Sequence, residues 1–239
     1  MKKNLLLLAA STLVSIGAMA TGYYHIRTTG TTSEYNMNQS TGTSAIYTGT
    51  GTAKANELFS PAVSLPFAFS FYGNAVTQFK ASSSGYITFD VSQTTDVTSN
   101  TALPNASAPK NAIFAFWDNL RLQTITQGSS TFPSDIRTWT YGTAPNRVFV
   151  VQWRLTQTND GSNATNVTYF AIRLYENDSH FDVVHNYGFG TFSATVGCQN
   201  ADASSGYSIL SSPNQNFGGN SGSYDAAKSH VYSFYYGTQ

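Results

Sequence analysis

Residues 147–187 constrain the fold more than any other stretch. They read Arg147-Val148-Phe149-Val150-Val151-Gln152-Trp153-Arg154-Leu155, a polar turn, Val167-Thr168-Tyr169-Phe170-Ala171-Ile172-Arg173-Leu174-Tyr175, a second turn, and His180-Phe181-Asp182-Val183-Val184-His185-Asn186-Tyr187. Three runs dense in β-branched and aromatic residues, parted by loops of Asn, Asp, Gly and Ser, predict consecutive antiparallel strands. Alternation within 167–175 is only partial, so one face is buried and the other mixed.

The same signals recur along the chain. In Leu65-Pro66-Phe67-Ala68-Phe69-Ser70-Phe71 the three Phe share one face at two-residue period, which predicts a half-buried strand. Tyr72-Gly73-Asn74 turns the chain, and residues 78–82 and 85–89 pair around a Ser-Ser-Gly turn. Residues 91–110, with Pro104 and Pro109, read as a long surface loop placed to face a ligand. Ala112-Ile113-Phe114-Ala115-Phe116-Trp117 is apolar throughout, as in a central strand covered on both faces. Residues 123–135 read as a polar loop, and Arg137-Thr138-Trp139-Thr140-Tyr141 as an exposed or edge strand. Segments 194–200, 206–210 and 230–236 complete about ten to twelve strands. With no helix and no fixed repeat, the expectation is an all-β fold: a two-sheet antiparallel β-sandwich, jelly-roll-like. A membrane barrel is the rival architecture, but the two-sided apolar strand at 113–117 does not alternate as barrel strands must.

The N-terminus carries Lys2 and Lys3, an apolar run and Ala18-Met19-Ala20, the pattern of a secretory signal peptide over residues 1–20. Thr21, not Cys, follows the expected cut, so a lipid anchor is not indicated. Residues 21–60, rich in Thr, Gly and Ser, are expected to add peripheral strands, and residues 61–239 to form the sandwich. Removing Lys2 and Lys3 leaves 10 basic against 12 acidic residues, a net charge of −2. Nucleic acid and acidic membranes are bound through clustered Lys and Arg, so neither is an expected partner. No later segment is long and apolar enough to span a bilayer as a helix, so no transmembrane segment is expected in the mature chain. Cys198 is the single cysteine, which excludes an internal disulfide and leaves a packed thiol, an intermolecular bridge or a nucleophile.

Several of these segments, taken in order, resemble a β-sandwich module of secreted modular bacterial surface proteins. They are residues 65–73, Ser82-Ser83-Ser84-Gly85-Tyr86-Ile87-Thr88-Phe89, Ile113-Phe114-Ala115-Phe116-Trp117-Asp118-Asn119-Leu120, Ala144-Pro145-Asn146-Arg147, Val150-Val151-Gln152-Trp153, Leu174-Tyr175-Glu176 and residues 194–202. The Phe-Trp-Asp segment is also distantly similar to the extracellular domain of nidogen. The resemblance covers 65–236 and implies an extracellular accessory domain with no catalytic motif to carry over. Cys198 stands where such modules have a larger aliphatic residue, which changes packing and not role.

Chemistry is harder to read. His180, Asp182 and Glu176 are the residues from which a hydrolase site would be assembled, but no nucleophile elbow accompanies them. Asp118, Asn119 and the Asp160 loop offer oxygen ligands, making calcium the candidate cofactor, though turn chemistry also explains them. Aromatic residues are 14% of the chain and charged ones 10%, a balance suited to ring contacts with sugars. Trp117 and Trp153 read as core, whereas Trp139 and Tyr141, flanked by Thr, are the expected exposed ligand-binding pair; cross-strand packing is the competing explanation. The expected function is a secreted, non-enzymatic binding or adhesion module for an extracellular glycan, matrix or surface protein. A self-assembling surface subunit and a secreted hydrolase are the alternatives.

Overall fold

A computed structural model describes residues 21–30, 43–49, 58–127, 129–158, 167–188, 193–209, 212–213 and 230–238. The expected signal peptide, Asp160 and most of the Gly/Asn/Ser loop after residue 210 lie outside the described residues. Two antiparallel sheets pack face to face. The larger, of nine strands, runs β1 (Thr21–Thr29), β15 (His230–Thr238), β12 (Phe181–Gly188), β11 (Val167–Tyr175), β10 (Val148–Thr158), β9 (Ser130–Tyr141) and β2 (Ser44–Gly49). Off this path, β7 (Leu120–Arg121) pairs with β10 and β8 (Thr124–Gln127) with β9. The smaller sheet runs β14 (Gly206–Ser208), β13 (Thr195–Gln199), β6 (Ala112–Trp117), β5 (Tyr86–Thr88), β4 (Asn74–Ala81) and β3 (Val63–Phe71). The meander over 147–187 is thus β10, β11 and β12, at the centre of the larger sheet.

Alternation decides what enters the core. Phe67, Phe69 and Phe71 from β3 are buried in the inter-sheet core with Phe149, Val151 and Trp153 from β10 and Phe170, Ile172 and Leu174 from β11. Rings meet across the gap: Phe116 of the small sheet stacks on Phe170 of the large one at 5.1 Å, and Phe79 meets Phe149 edge-on at 5.8 Å. Pro66 cannot donate to a ladder, and it sits in the edge strand β3, where pairing with β4 slips between Ser64 and Phe69.

β6 is buried at every position, as its unbroken apolar run predicts. Its alternation is interrupted because the N–H groups of both Ala115 and Phe116 donate to the Gly85 carbonyl, at 3.1 and 3.0 Å. Beyond this bulge Trp117 rejoins Phe114 and Tyr86 in a second cluster, away from the main core.

That second cluster lies beneath the expected surface loop. Residues 90–111 lie over it, with Val97, Leu103 and Ala108 packed on Tyr86, Phe114 and Trp117. The Trp117 indole donates to the Val97 carbonyl at 2.6 Å. The Gln199 amide donates to the carbonyls of Asn105, Ala108 and Pro109 and accepts from the Asn105 N–H. Asp96 accepts hydroxyl hydrogen bonds from Ser82, Ser84 and Tyr86 at 2.7, 2.6 and 2.5 Å. The loop is a fastened cover for an apolar sheet face, because exposed Trp and Phe faces there would be costly.

Two further details differ from the sequence reading. Fifteen strands occur among the described residues, more than the expected ten to twelve; the two-residue β7 follows the expected end of the 112–117 strand, and β8 lies in a stretch read as a polar loop. Residues 124–127 and 130–133 form a hairpin rather than a loop, with Ile125 buried. β9 is not an edge strand, because β2 pairs along its outer side.

Candidate functional site

Trp139 and Tyr141 lie on the outer face of the large sheet, and the structure separates them. Tyr141 is 45% exposed, whereas Trp139 is only 6% exposed, packed with Val148, Val150, Ala171 and Tyr175. The expected exposure of Trp139 is therefore not met. Trp139 lies opposite Val150, and the register brings Val148, Ala171 and the Tyr175 ring against it, which alternation along one strand does not contain. A row of stacked rings crosses the same sheet: Tyr175 on His180 at 3.9 Å, His180 on Tyr235 at 4.9 Å and Tyr235 on Tyr24 at 5.7 Å. Rings stacked face to face turn their edges outward, so this row offers phenol and imidazole edges and few open ring faces to a sugar.

The charges of this face are matched among themselves. Asp135 accepts from Arg137 and Arg154, each at 2.6 Å. Asp182 is buried and accepts from Arg173 and from the Tyr175 hydroxyl, both at 2.6 Å. Glu176 is bound by Arg147 through two guanidinium hydrogen bonds and one from the backbone N–H, and the guanidinium holds its carboxyl below the usual range. His180 is held between two tyrosine rings and touches Asp178. His185 is buried and donates through Nε2 to the Ala115 carbonyl, and burial lowers its pKa to about 3. The Cys198 thiol is buried, and burial pushes its pKa up, which disfavours the nucleophilic thiolate. Each of these groups has a structural partner or is shut away from solvent.

Asp118 accepts from the Ser193 N–H at 2.9 Å and hydroxyl at 3.1 Å through Oδ2, and from the Asn119 N–H through Oδ1. Turn and loop bonding accounts for this carboxylate. Among the described residues no three His, Cys, Asp or Glu side chains come together to hold a metal. Asp160, the other half of the expected calcium site, lies outside them.

A concave site that the sequence did not announce lies at one end of the sandwich. The turn after β3, the loop between β13 and β14, and the ends of β1 and β15 border an open cavity of about 270 Å³ lined by Tyr72, Asn74, Asn200, Asp202, Ser205 and Tyr236 among others. Phe71 pairs with Asn74 across the two-residue loop Tyr72-Gly73, whose φ angles of 49° and 76° are those of a type I′ turn. Asn, Asp or Gly normally takes the first position of that turn. Tyr occupies it here, with its ring against Tyr23, Phe71 and Tyr236 and its hydroxyl donating to the Cys198 carbonyl at 3.3 Å. Tyr236 is 41% exposed. Asn200 accepts from the Ser205 N–H and donates to the Ser204 hydroxyl. Asp202 accepts from the Ser204 hydroxyl and N–H, and these bonds hold its carboxyl below the ordinary range. The cavity thus combines an ionised acceptor, amide donors and an accessible ring. In sequence, Tyr at the first position of a two-residue turn was the available signal. Nothing in the sequence placed that turn beside Cys198, 126 residues away.

No curated protein and no solved structure matches the chain. A family model described as NIDO related matches residues 24–235, which takes in both sheets and every element that lines the cavity except the first residues of β1 and the last of β15. The match spans most of the chain, and the protein belongs to the NIDO-related family.

Proposed function

We propose that the chain is a secreted, non-enzymatic binding module that acts in adhesion to an extracellular carbohydrate or matrix partner. The observation that carries this reading is the end cavity, where aromatic and hydrogen-bonding side chains converge on a concave surface. Membership in the NIDO-related family fits an extracellular setting. The non-enzymatic part is supported by the condition of the candidate catalytic groups: Asp182 and Glu176 are engaged by arginines, His185 is buried, and His180 lies between tyrosines. Tyr141, exposed beside the ring row, is a second candidate contact, with Trp139 packed beneath the same face.

The alternative of a self-assembling surface subunit draws on β1, an outer strand whose Ile26 is 53% exposed.

The test is binding of chain 21–239 to immobilised polysaccharides and matrix proteins, with and without calcium, for the wild type, Tyr236→Ala and Tyr141→Ala. Saturable binding weakened by Tyr236→Ala is expected. Turnover of a panel member that disappears in Asp182→Asn or Glu176→Gln, with the fold intact, would establish the hydrolase instead. Concentration-dependent polymers without ligand would favour the subunit.

A further inference from the structure

Arg121 is the exception to the charge matching on the outer face of the large sheet, and we infer that it marks a binding site for one small oxyanion: a sulfate, phosphate or carboxylate group. Leu120 and Leu122 enter the core, so alternation turns Arg121 to the opposite face, where it lies across from Gln157 of β10. The residue is only 5% exposed, and its Nε is buried without a hydrogen-bond partner. Among the described residues no carboxylate pairs with it.

The register explains why the acid beside it does not serve. β9 and β7 follow one another along the edge of β10 opposite β11, with Asp135 across from Arg154 and Arg121 across from Gln157. Leu155, at φ 55°, is the extra residue that shifts the register between Trp153 and Thr156, and beyond it Gln157 faces outward as Arg154 does. Asp135 and Arg121 are thus successive outward positions on one edge. That carboxylate is already held: Arg137 donates to its two oxygens at 2.9 and 2.6 Å, and Arg154 at 3.2 and 2.6 Å. Three guanidinium groups stand against one carboxylate, and Asp135 and Arg137 are themselves buried.

A buried charge with no counter-charge is among the costliest arrangements in a fold. A lysine or histidine could escape by giving up its proton, but a guanidinium cannot. Water would satisfy the N–H groups and leave the charge uncompensated. An oxyanion does both, because the planar fork presents parallel donors to two oxygens at once. The small exposed fraction limits the ligand to a group of a few atoms that can reach a recessed side chain, either free in solution or carried on a larger molecule. The end cavity plays no part in this site.

The experiment is calorimetry and thermal unfolding of chain 21–239 with sodium sulfate, phosphate or acetate, against sodium chloride at equal ionic strength, for the wild type, Arg121→Met and Arg121→Gln. The wild type is expected to bind at least one of these oxyanions saturably, with a melting temperature that climbs with its concentration. Both variants should bind at least tenfold more weakly and keep only the general salting effect. In buffer free of oxyanions, Arg121→Met should melt no lower than wild type, since it removes an uncompensated buried charge. A sulfated disaccharide separates the two sources: binding tighter than that of inorganic sulfate, and lost in the variants, assigns the site to a sugar-borne group, and binding no tighter assigns it to the free ion. Absence of saturable binding in the wild type, or binding that survives in both variants, would overturn the inference. So would variants that melt far below wild type or do not fold in oxyanion-free buffer, because a group of the protein itself then holds the guanidinium.

Discussion

The indole Nε1 of Trp153, in the large sheet, donates to the carbonyl of Ser82, directly after β4 of the small sheet, at 2.7 Å. Both residues are fully buried, and the hydroxyl of the same Ser82 donates to Asp96 at 2.7 Å. The bond therefore joins the sandwich interior to the cover formed by residues 90–111.

Trp153→Phe retains a ring that can stack on Phe170 but leaves the Ser82 carbonyl without its indole donor. A buried acceptor left unsatisfied, together with the lost ring volume, should cost about 2 to 3 kcal/mol. Urea unfolding with an unchanged m-value checks this; a loss below about 0.5 kcal/mol would show that water or repacking replaces the bond.

Gly85 has φ of 83°, and a Cβ there would stand 2.2 Å from the Phe116 carbonyl oxygen and 2.8 Å from its carbon. Neither atom belongs to a flexible side chain, so the strand or the bulge must move. Gly85→Ala is expected to lose roughly 3 to 5 kcal/mol, in the tail of single-site effects, or to yield no folded protein. A melting temperature close to wild type contradicts the close approach.

Asp96 gathers three hydroxyl donors in a nearly buried site. Its replacement by Ala removes a charged acceptor and leaves the hydroxyls of Ser82, Ser84 and Tyr86 to find other partners, at a cost of about 3 kcal/mol. The loop should loosen before the sheets do. Limited proteolysis is expected to cut Asp96→Ala within residues 90–111 faster than wild type, while Asp96→Asn, which keeps acceptor capacity, falls between them.

His185 gives the fold an acid dependence. Burial lowers its pKa from 6.5 to about 3, so the native state keeps the neutral ring while the unfolded chain protonates. Its stabilising contribution is complete above pH 6.5 and is lost as the pH falls toward 3, at about 1.4 kcal/mol per pH unit within that window. Chemical denaturation between pH 7 and 4 should show a shallower pH slope for His185→Leu than for wild type, by up to one proton. Equal slopes would mean that the ring is not held neutral.

The sequence by itself determined the fold class, because strand formation and the burial of one face are written in local composition and two-residue alternation. Phe67, Phe69 and Phe71 enter the core together for that reason, and the apolar run at 112–117 reads as the central strand that β6 is. Tertiary structure decided what covers each face. Trp139 alternates like an exposed residue, yet neighbours on β10 and β11 bury it. Residues 91–110 read as a long surface loop, and only the structure shows that Asp96 and Gln199 fasten it over Trp117. The bulge at Ala115 and Phe116 changes which side of β6 faces the core, and its cause is the carbonyl of Gly85 in the turn before β5. The end cavity exists because Tyr72, Asp202 and Tyr236, from three distant parts of the chain, are brought together when the two sheets close. Periodicity specifies a direction for each side chain. Whether solvent, a neighbour or a cavity lies in that direction depends on register and on packing between sheets.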